Sequence, residues 1–244
     1  LEADLQDLVV RAERFAEQYR GQVASLGPQG FAEALTAYER ILHDEQFPGA
    51  FAYLRFAEDT QHPDHGKLLQ HVQERSVDIH RHLLFFTLEI VAIPDDVFAR
   101  YLADPVTASY RHYLEHTRAM RPHRLSEPEE QILMEKSLTG REAFSRLFDE
   151  IINGMTFTMT VEGKRTKLTE SEVLNKLTDP SRAVRAAAAA ALTRGMEAEG
   201  RRFTYITNTL IHDKAVNDRL THFDSAEAER HLDDEVDTGT VHTM

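Results

Sequence analysis

Three residues near the middle of the chain have the types and spacing of a zinc site. The stretch RHYLEHTRAM, residues 111 to 120, contains His112, Glu115 and His116 in the order H-x-x-E-H. Residues four apart share one face of a helix, so both histidines could bind one Zn²⁺ while Glu115 activates a bound water. The same residues could equally be polar side chains on a solvated helix.

The rest of that helix favours the solvated alternative. On a helical wheel, both histidines lie away from the side that is suited to packing, which is formed by Tyr110, Tyr113, Leu114 and Thr117. Several arginines lie on or near the helix, and fixed positive charge repels a divalent cation. They are Arg111, Arg118 and Arg121. A third ligand could come from Glu197 or Glu199, but no pattern singles out either residue.

Other candidate motifs favour structural roles. Histidines gather at His62, His65, His71, His80 and His82, of which His62 and His65 flank a turn and could chelate weakly. We expect all five to be solvated or hydrogen-bonded. The sequence contains neither G-x-S-x-G nor G-x-x-x-x-G-K-[ST], which argues against these forms of nucleophilic and nucleotide chemistry. Paired carboxylates such as Asp95 with Asp96 lie at helix starts, where the helix dipole accounts for them.

Composition excludes several classes of protein. The 244 residues carry a net charge of −13 with 28 Lys and Arg, which argues against a nucleic-acid partner because such binding needs clustered positive charge. There is no cysteine, so we predict a cytoplasmic protein without disulfides or thiolate metal sites. Apolar runs such as residues 83–93 are shorter than the roughly 20 residues that cross a bilayer, so no membrane association is predicted. The chain starts at Leu1 inside an amphipathic pattern, so a piece of a longer protein is expected.

Hydrophobic periodicity predicts three helices in the first 94 residues. Each carries a single apolar stripe at steps of three and four. The first helix should end near residues 25–30, and Pro48 in FPGA should break or kink the second. The first stripe is Leu1, Leu5, Leu8, Ala12, Phe15 and Tyr19, and the second is Phe31, Leu35, Tyr38 and Leu42. The third is Leu69, Val72, Ser76, Ile79, Leu83, Phe86, Ile90 and Ile93. An antiparallel bundle hides all three faces.

The remaining residues are also predicted to be mostly helical. A helix should start at about residue 95 and break at ADP, residues 103–105, and Ser126 with Glu129 forms a capping box for a helix that Gly140 closes. Two-residue periodicity in MTFTMTV and RTKLT predicts one small β-hairpin near 155–169, with Gly163 in its turn. A capping box at Thr169 starts a short helix, and a very long helix with Pro180 at its first position is expected through residue 220.

Several stretches, read in order, resemble the oligoendopeptidase F branch of the thimet-type (M3) zinc metallopeptidases. They are YLRFAEDT, LLFFTLEI, YRHYLEHTRAMRPHRLSEPEEQIL, LTGREAFSRLFDE and RHLDDEVD. The resemblance covers nearly the whole chain and implies an all-α fold with a deep channel that admits short peptides. Residues 1–94 would form the N-terminal helical bundle, and residues 95–244 would begin the helical peptidase domain.

The resemblance also implies a chemistry that these residues do not contain. Members of the family bind zinc through two histidines of H-E-x-x-H and a later Glu, yet none of the 13 histidines here is followed by Glu. No catalytic, cofactor-binding or metal residue is therefore assigned, and the chain alone is expected to be inactive. The intact parent would bind zinc and cut oligopeptides, with this part contacting the missing C-terminal half or self-associating. The alternative is a free-standing helical binding or scaffold protein without catalytic activity.

Overall fold

The computed structural model describes residues 1–161 and 163–243, and it consists mainly of α-helices. The helices of the first half are α1 (Glu2–Tyr19), α2 (Gly27–Glu58), α3 (Pro63–Ala92), α4 (Asp95–Ala103), α5 (Arg111–Ala119) and α6 (Glu127–Ser137). Those of the second half are α7 (Arg141–Gly154), α8 (Glu170–Lys176), α9 (Arg182–Ala198), α10 (Gly200–Leu220), α11 (Ala228–Asp233) and α12 (Thr238–Thr243). The predicted all-α class is confirmed.

The first three helices form an up-down-up bundle around a main core. Phe15 of α1 lies 6.0 Å from Tyr38 of α2 and 5.1 Å from Phe86 of α3, measured between ring centroids. Successive helices are antiparallel, as predicted, because the start of α1 meets the end of α2 in a separate cluster. That cluster contains Leu5, Ala52, Phe56, Leu69 and Val72. Phe98, Tyr101 and Leu114 of the following helices complete the main core.

Helix α2 passes through Pro48 without interruption, so of the two predicted outcomes at residues 47–50, a break or a kink, the break is wrong. Proline inside a helix removes one hydrogen bond and costs about 3 kcal/mol or more. Ala52 and Phe56 lie beyond the proline and are buried against α1 and α3. Burial of apolar surface contributes about 25 cal/mol per Å², so this packing offsets the local cost.

A small second core lies under the predicted hairpin. Strands β1 (Phe157–Val161) and β2 (Lys164–Leu168) pair antiparallel, and Gly163 adopts a φ of 77° in the turn, which confirms the hairpin. Phe157, Met159 and Leu168 pack against α8 and α9. We call the buried residues of this cluster the second core: Phe157, Met159, Leu168, Val173, Ala188 and Ala191.

The long helix predicted from Pro180 through residue 220 is divided at Glu199. This residue has a φ of −97° and a ψ of 3°, and it separates α9 from α10. The predicted position of Pro180 is also wrong, because the helix begins at Arg182. The division follows from packing: α9 lies on the hairpin, while α10 lies along α7, where Phe148 and Phe203 have ring centroids 5.2 Å apart. Gly200 lowers the local cost of ending one helix and starting another.

Candidate functional site

The residues of the H-x-x-E-H stretch lie on the solvent side of α5. Leu114 and Thr117 face the core, whereas the side chain of His112 is 76% exposed and that of Glu115 is 52% exposed. The carboxylate of Glu115 lies 3.7 Å from the guanidinium of Arg111, one turn earlier on the same helix, and forms a salt bridge with it. The predicted orientation of this motif is confirmed.

The two histidines share a distant carboxylate that the sequence did not indicate. Glu235 Oε1 lies 2.9 Å from His112 Nε2 and 3.7 Å from His116 Nδ1. Glu235 follows α11 and has a φ of 53°, a left-handed conformation that is uncommon for residues other than glycine. Glu199, one of the third ligands considered for this motif, instead pairs with Arg202 at 3.0 Å.

The described residues do not fit a zinc ion. Across residues 1–161 and 163–243, no three side chains of His, Asp or Glu form a group that could hold a metal. His112, His116 and Glu235 form a polar cluster at the surface, in which a carboxylate lies between two imidazoles.

Of the five histidines that gather at residues 62–82, three lie beside carboxylates. His71 Nε2 lies 2.6 Å from Glu2, and His82 Nε2 lies 3.7 Å from Glu13. The rings of His62 and His65 stack with centroids 4.4 Å apart.

His80 differs from these because its partner is buried. Glu45 on α2 has a side chain only 10% exposed, and its two oxygens accept hydrogen bonds from Ser76 Oγ and from His80 Nε2, the latter at 2.8 Å. The hydrogen bond to Glu45 raises the pKa of His80, and burial opposes that effect. A buried carboxylate therefore fixes the orientation of an imidazole that is itself 47% exposed.

His80 lies at one side of a cavity of about 490 Å³. The walls come from α3, from α6 with the start of α7, and from α10 with α11. Its charged lining residues are Arg124, Glu130, Lys136, Arg141, Asp213, Lys214 and Glu229, and its apolar ones include Leu84, Leu133 and Val216. We call this space the central cavity.

A neighbouring cavity of about 630 Å³ shares part of the same wall. Both spaces are lined by His123 and Phe223, whose rings stack with centroids 3.7 Å apart. His116 and Glu235 line the second space, which places the H-x-x-E-H helix beside the central cavity and not inside it. Sequence reasoning missed both cavities, because their residues come from segments far apart along the chain.

The ion pairs of the central cavity are unevenly distributed. Lys214 contacts Asp218 and also lies 2.9 Å from Glu229, so α10 neutralises its own cation. Arg124 Nη1 lies 3.9 Å from Glu130, while Arg124 Nε is buried without a hydrogen-bond partner among the described atoms. Neither Lys136 nor Arg141 has a side-chain partner among the described residues. Their wall of the cavity therefore presents unneutralised positive charge.

Comparison with known proteins supports the resemblance found in the sequence. The family model described as oligopeptidase F, the N-terminal part of peptidase M3, matches residues 89–157. This match confirms the predicted resemblance over the segment from the end of α3 to the start of the hairpin. No curated protein matched the chain.

Two solved structures show the same fold. Oligoendopeptidase-F from Enterococcus faecium superimposes with a TM-score of 0.85 at 21% identity, covering 99% of this chain and 48% of that protein. A candidate peptidase from Chlamydophila abortus gives a TM-score of 0.61 at 17% identity, covering 98% of this chain and 41% of that protein. The chain thus spans less than half the length of either structure. No helix in the described part of the chain is long and apolar enough to cross a membrane.

Proposed function

We propose that this chain is the wall-forming, helical part of a zinc metallopeptidase that hydrolyses internal bonds of short peptides. The observation that carries the proposal is the oligopeptidase F match over residues 89–157. The fold shared with oligoendopeptidase-F along the whole chain supports it. Its proposed contribution is to shape and enclose a peptide-binding space.

The two parts of the chain would contribute differently to that space. Residues 1–94 are proposed to form the N-terminal bundle, and residues 95–244 the beginning of the helical peptidase domain. The central cavity supports this assignment, because both parts of the chain line it: α3 lines one side, and α6, α10 and α11 line the others. A space of about 490 Å³ between helices would admit part of an extended peptide and exclude a folded protein.

Zinc is proposed to be held by residues outside the 244 positions. In the intact parent it would polarise the scissile carbonyl and lower the pKa of a bound water. The ligands would be the two histidines of an H-E-x-x-H motif and a later Glu, and no histidine here is followed by Glu. The chain alone is therefore expected to bind peptides without cutting them. A cytoplasmic location stays a prediction from the sequence.

Exposed apolar side chains support a role in contact with further protein. Phe47, Phe51 and Leu54 lie along one stripe of α2 and are 64%, 51% and 65% exposed. Contiguous exposed apolar surface marks interaction sites, so we propose that the remaining half of the peptidase or a second copy of the chain covers it. Light scattering of the purified chain tests the second possibility: association that is lost in Phe47→Ser/Phe51→Ser supports self-association, and a monomer at all concentrations refutes it.

The peptidase proposal is tested by expressing the protein from its natural reading frame, continued past codon 244. We expect an H-E-x-x-H motif downstream and cleavage of a fluorogenic octapeptide that stops when a zinc chelator is added. A folded protein that contains the same cleavable sequence should stay intact. A stop codon directly after codon 244 would instead support the scaffold alternative, and stoichiometric zinc with cleavage by residues 1–244 alone would overturn the proposed location of the site.

A further inference from the structure

We propose that the central cavity binds a carboxylate group of the peptide, through the unneutralised cations on its α6–α7 wall. This inference rests on the proposed function, because it assigns the peptide chemistry that the cavity recognises. Lys136 at the end of α6 and Arg141 at the start of α7 line the cavity, and neither has a side-chain partner among the described residues. Carboxylates are the groups that Arg and Lys bind most strongly in peptides.

The carboxylates of the protein itself are largely occupied. Glu229 is held by Lys214, and Glu130 accepts a hydrogen bond from the backbone N–H of Leu125 at 3.0 Å while lying near Arg124. Each carboxylate oxygen of Glu45 accepts a hydrogen bond, one from Ser76 and the other from His80. These carboxylates are therefore committed to partners and leave the cations of the α6–α7 wall unneutralised.

One acidic side chain in the cavity opposes this charge. Asp213 on α10 is exposed, lines the cavity and has no partner in the described residues. It can balance only one of the two cations without partners, Lys136 and Arg141, so one of them keeps its charge free, and the buried Nε of Arg124 is a further donor without a partner in the described structure. The lining thus carries four cationic and three anionic side chains, a surplus of one positive charge in a chain whose net charge is −13, and that surplus favours an anionic group.

Hydrophobic lining beside these donors suits a peptide better than a small inorganic anion. Leu133 and Met134 lie on the same helix as Lys136, and Val216 and Leu220 lie on α10. Pockets for organic ligands combine an apolar lining with a few polar groups that fix orientation. Two peptide groups have the required chemistry, namely the C-terminal carboxylate and the side chain of Asp or Glu.

The test is equilibrium binding of labelled octapeptides to the 244-residue chain, followed by fluorescence anisotropy. One peptide has a free C-terminus and no acidic side chain, a second is amidated and neutral, and a third is amidated with one Glu. We expect the neutral peptide to bind at least about tenfold more weakly than one of the others, because it lacks the charge-assisted hydrogen bonds that a carboxylate accepts from Lys or Arg. Preference for the first or the third peptide identifies which carboxylate is bound.

A matched pair of double variants separates the cavity from general charge. Lys136→Gln/Arg141→Gln should remove the preference for the carboxylate and leave binding of the neutral peptide unchanged. Lys167→Gln/Arg201→Gln has the same net charge, and both of its positions are exposed, without partners in the described structure, and outside the cavity lining. This control should keep the preference. Both variants should unfold at the same temperature as the wild type.

The outcomes also separate this inference from the function on which it rests. Equal affinity for all three peptides, or equal effects of the two double variants, would overturn carboxylate recognition while peptide binding stands. Failure of every peptide to bind would refute the inference and peptide binding by this chain together. Metal-dependent cleavage by the product of the extended reading frame reports on the peptidase proposal separately.

Discussion

Replacing Gly195 by alanine should destabilise the protein, although alanine is the better helix former. A Cβ at this position of α9 would lie 2.5 Å and 2.6 Å from two ring carbons of Phe157, against a normal carbon contact of about 3.5–4.0 Å. Phe157 is only 1% exposed in the second core, so its ring has little room to move. Overpacking costs about 1–3 kcal/mol and the helix propensity gain is about 1 kcal/mol. An overlap of about 1 Å with two atoms favours the upper cost, for a net loss of about 2 kcal/mol.

Gly49→Ala is the matched control for this prediction. Gly49 also lies within a helix, α2, but a Cβ there would have no heavy atom within 4 Å. This variant should gain up to about 1 kcal/mol from helix propensity alone. Urea unfolding followed by circular dichroism gives both values. If Gly195→Ala unfolds at the same or a higher urea concentration than the wild type, the close approach of α9 to the hairpin is refuted.

Three further predictions concern hydrogen bonds. The pKa of His80 is raised in the folded state by its hydrogen bond to Glu45, so that bond stabilises the fold fully below the unfolded pKa of about 6.5 and progressively less as pH rises through the folded value. The difference in urea stability between wild type and His80→Gln should therefore shrink from pH 5.5 to pH 8.5, and a constant difference would contradict this assignment. Tyr101→Phe removes a buried hydrogen bond of 3.1 Å to the carbonyl of Val23 and should lower the free energy of unfolding in urea by about 1–2 kcal/mol. An unchanged free energy of unfolding would show that this hydrogen bond makes no net contribution to stability. Ser126→Ala removes the capping box of α6 and should lower stability by about 1 kcal/mol, and an unchanged thermal midpoint would argue against the cap.

Features governed by neighbouring residues could be predicted from the sequence. The apolar stripe of α3 is an example, since Ile79, Leu83 and Phe86 are all buried as their spacing indicates. The capping box at Thr169 is also formed as predicted, because cap and partner are three residues apart. Both features depend on geometry within one or two helical turns.

Features that depend on distant packing could not be predicted. Local rules place a break at Pro48, but contacts made by Phe56 with other helices keep α2 continuous. Local propensity favours one helix through Glu199, but its two halves pack on different partners. The candidate site has the same character, since Glu45 and His80 are 35 residues apart and no periodicity connects them. The zinc-like spacing on α5 is local and was therefore visible in the sequence, although the described residues form no metal-binding group around it.

The separate core beneath the hairpin has a consequence for the way this protein fluctuates. Residues 157–191 bury their apolar side chains mainly among themselves, against α8 and α9 and away from the main core. Their backbone amides should therefore exchange with deuterium in one concerted opening, at a lower free energy than the amides of α1 and α3. Local unfolding of the second core would then leave the three-helix bundle folded.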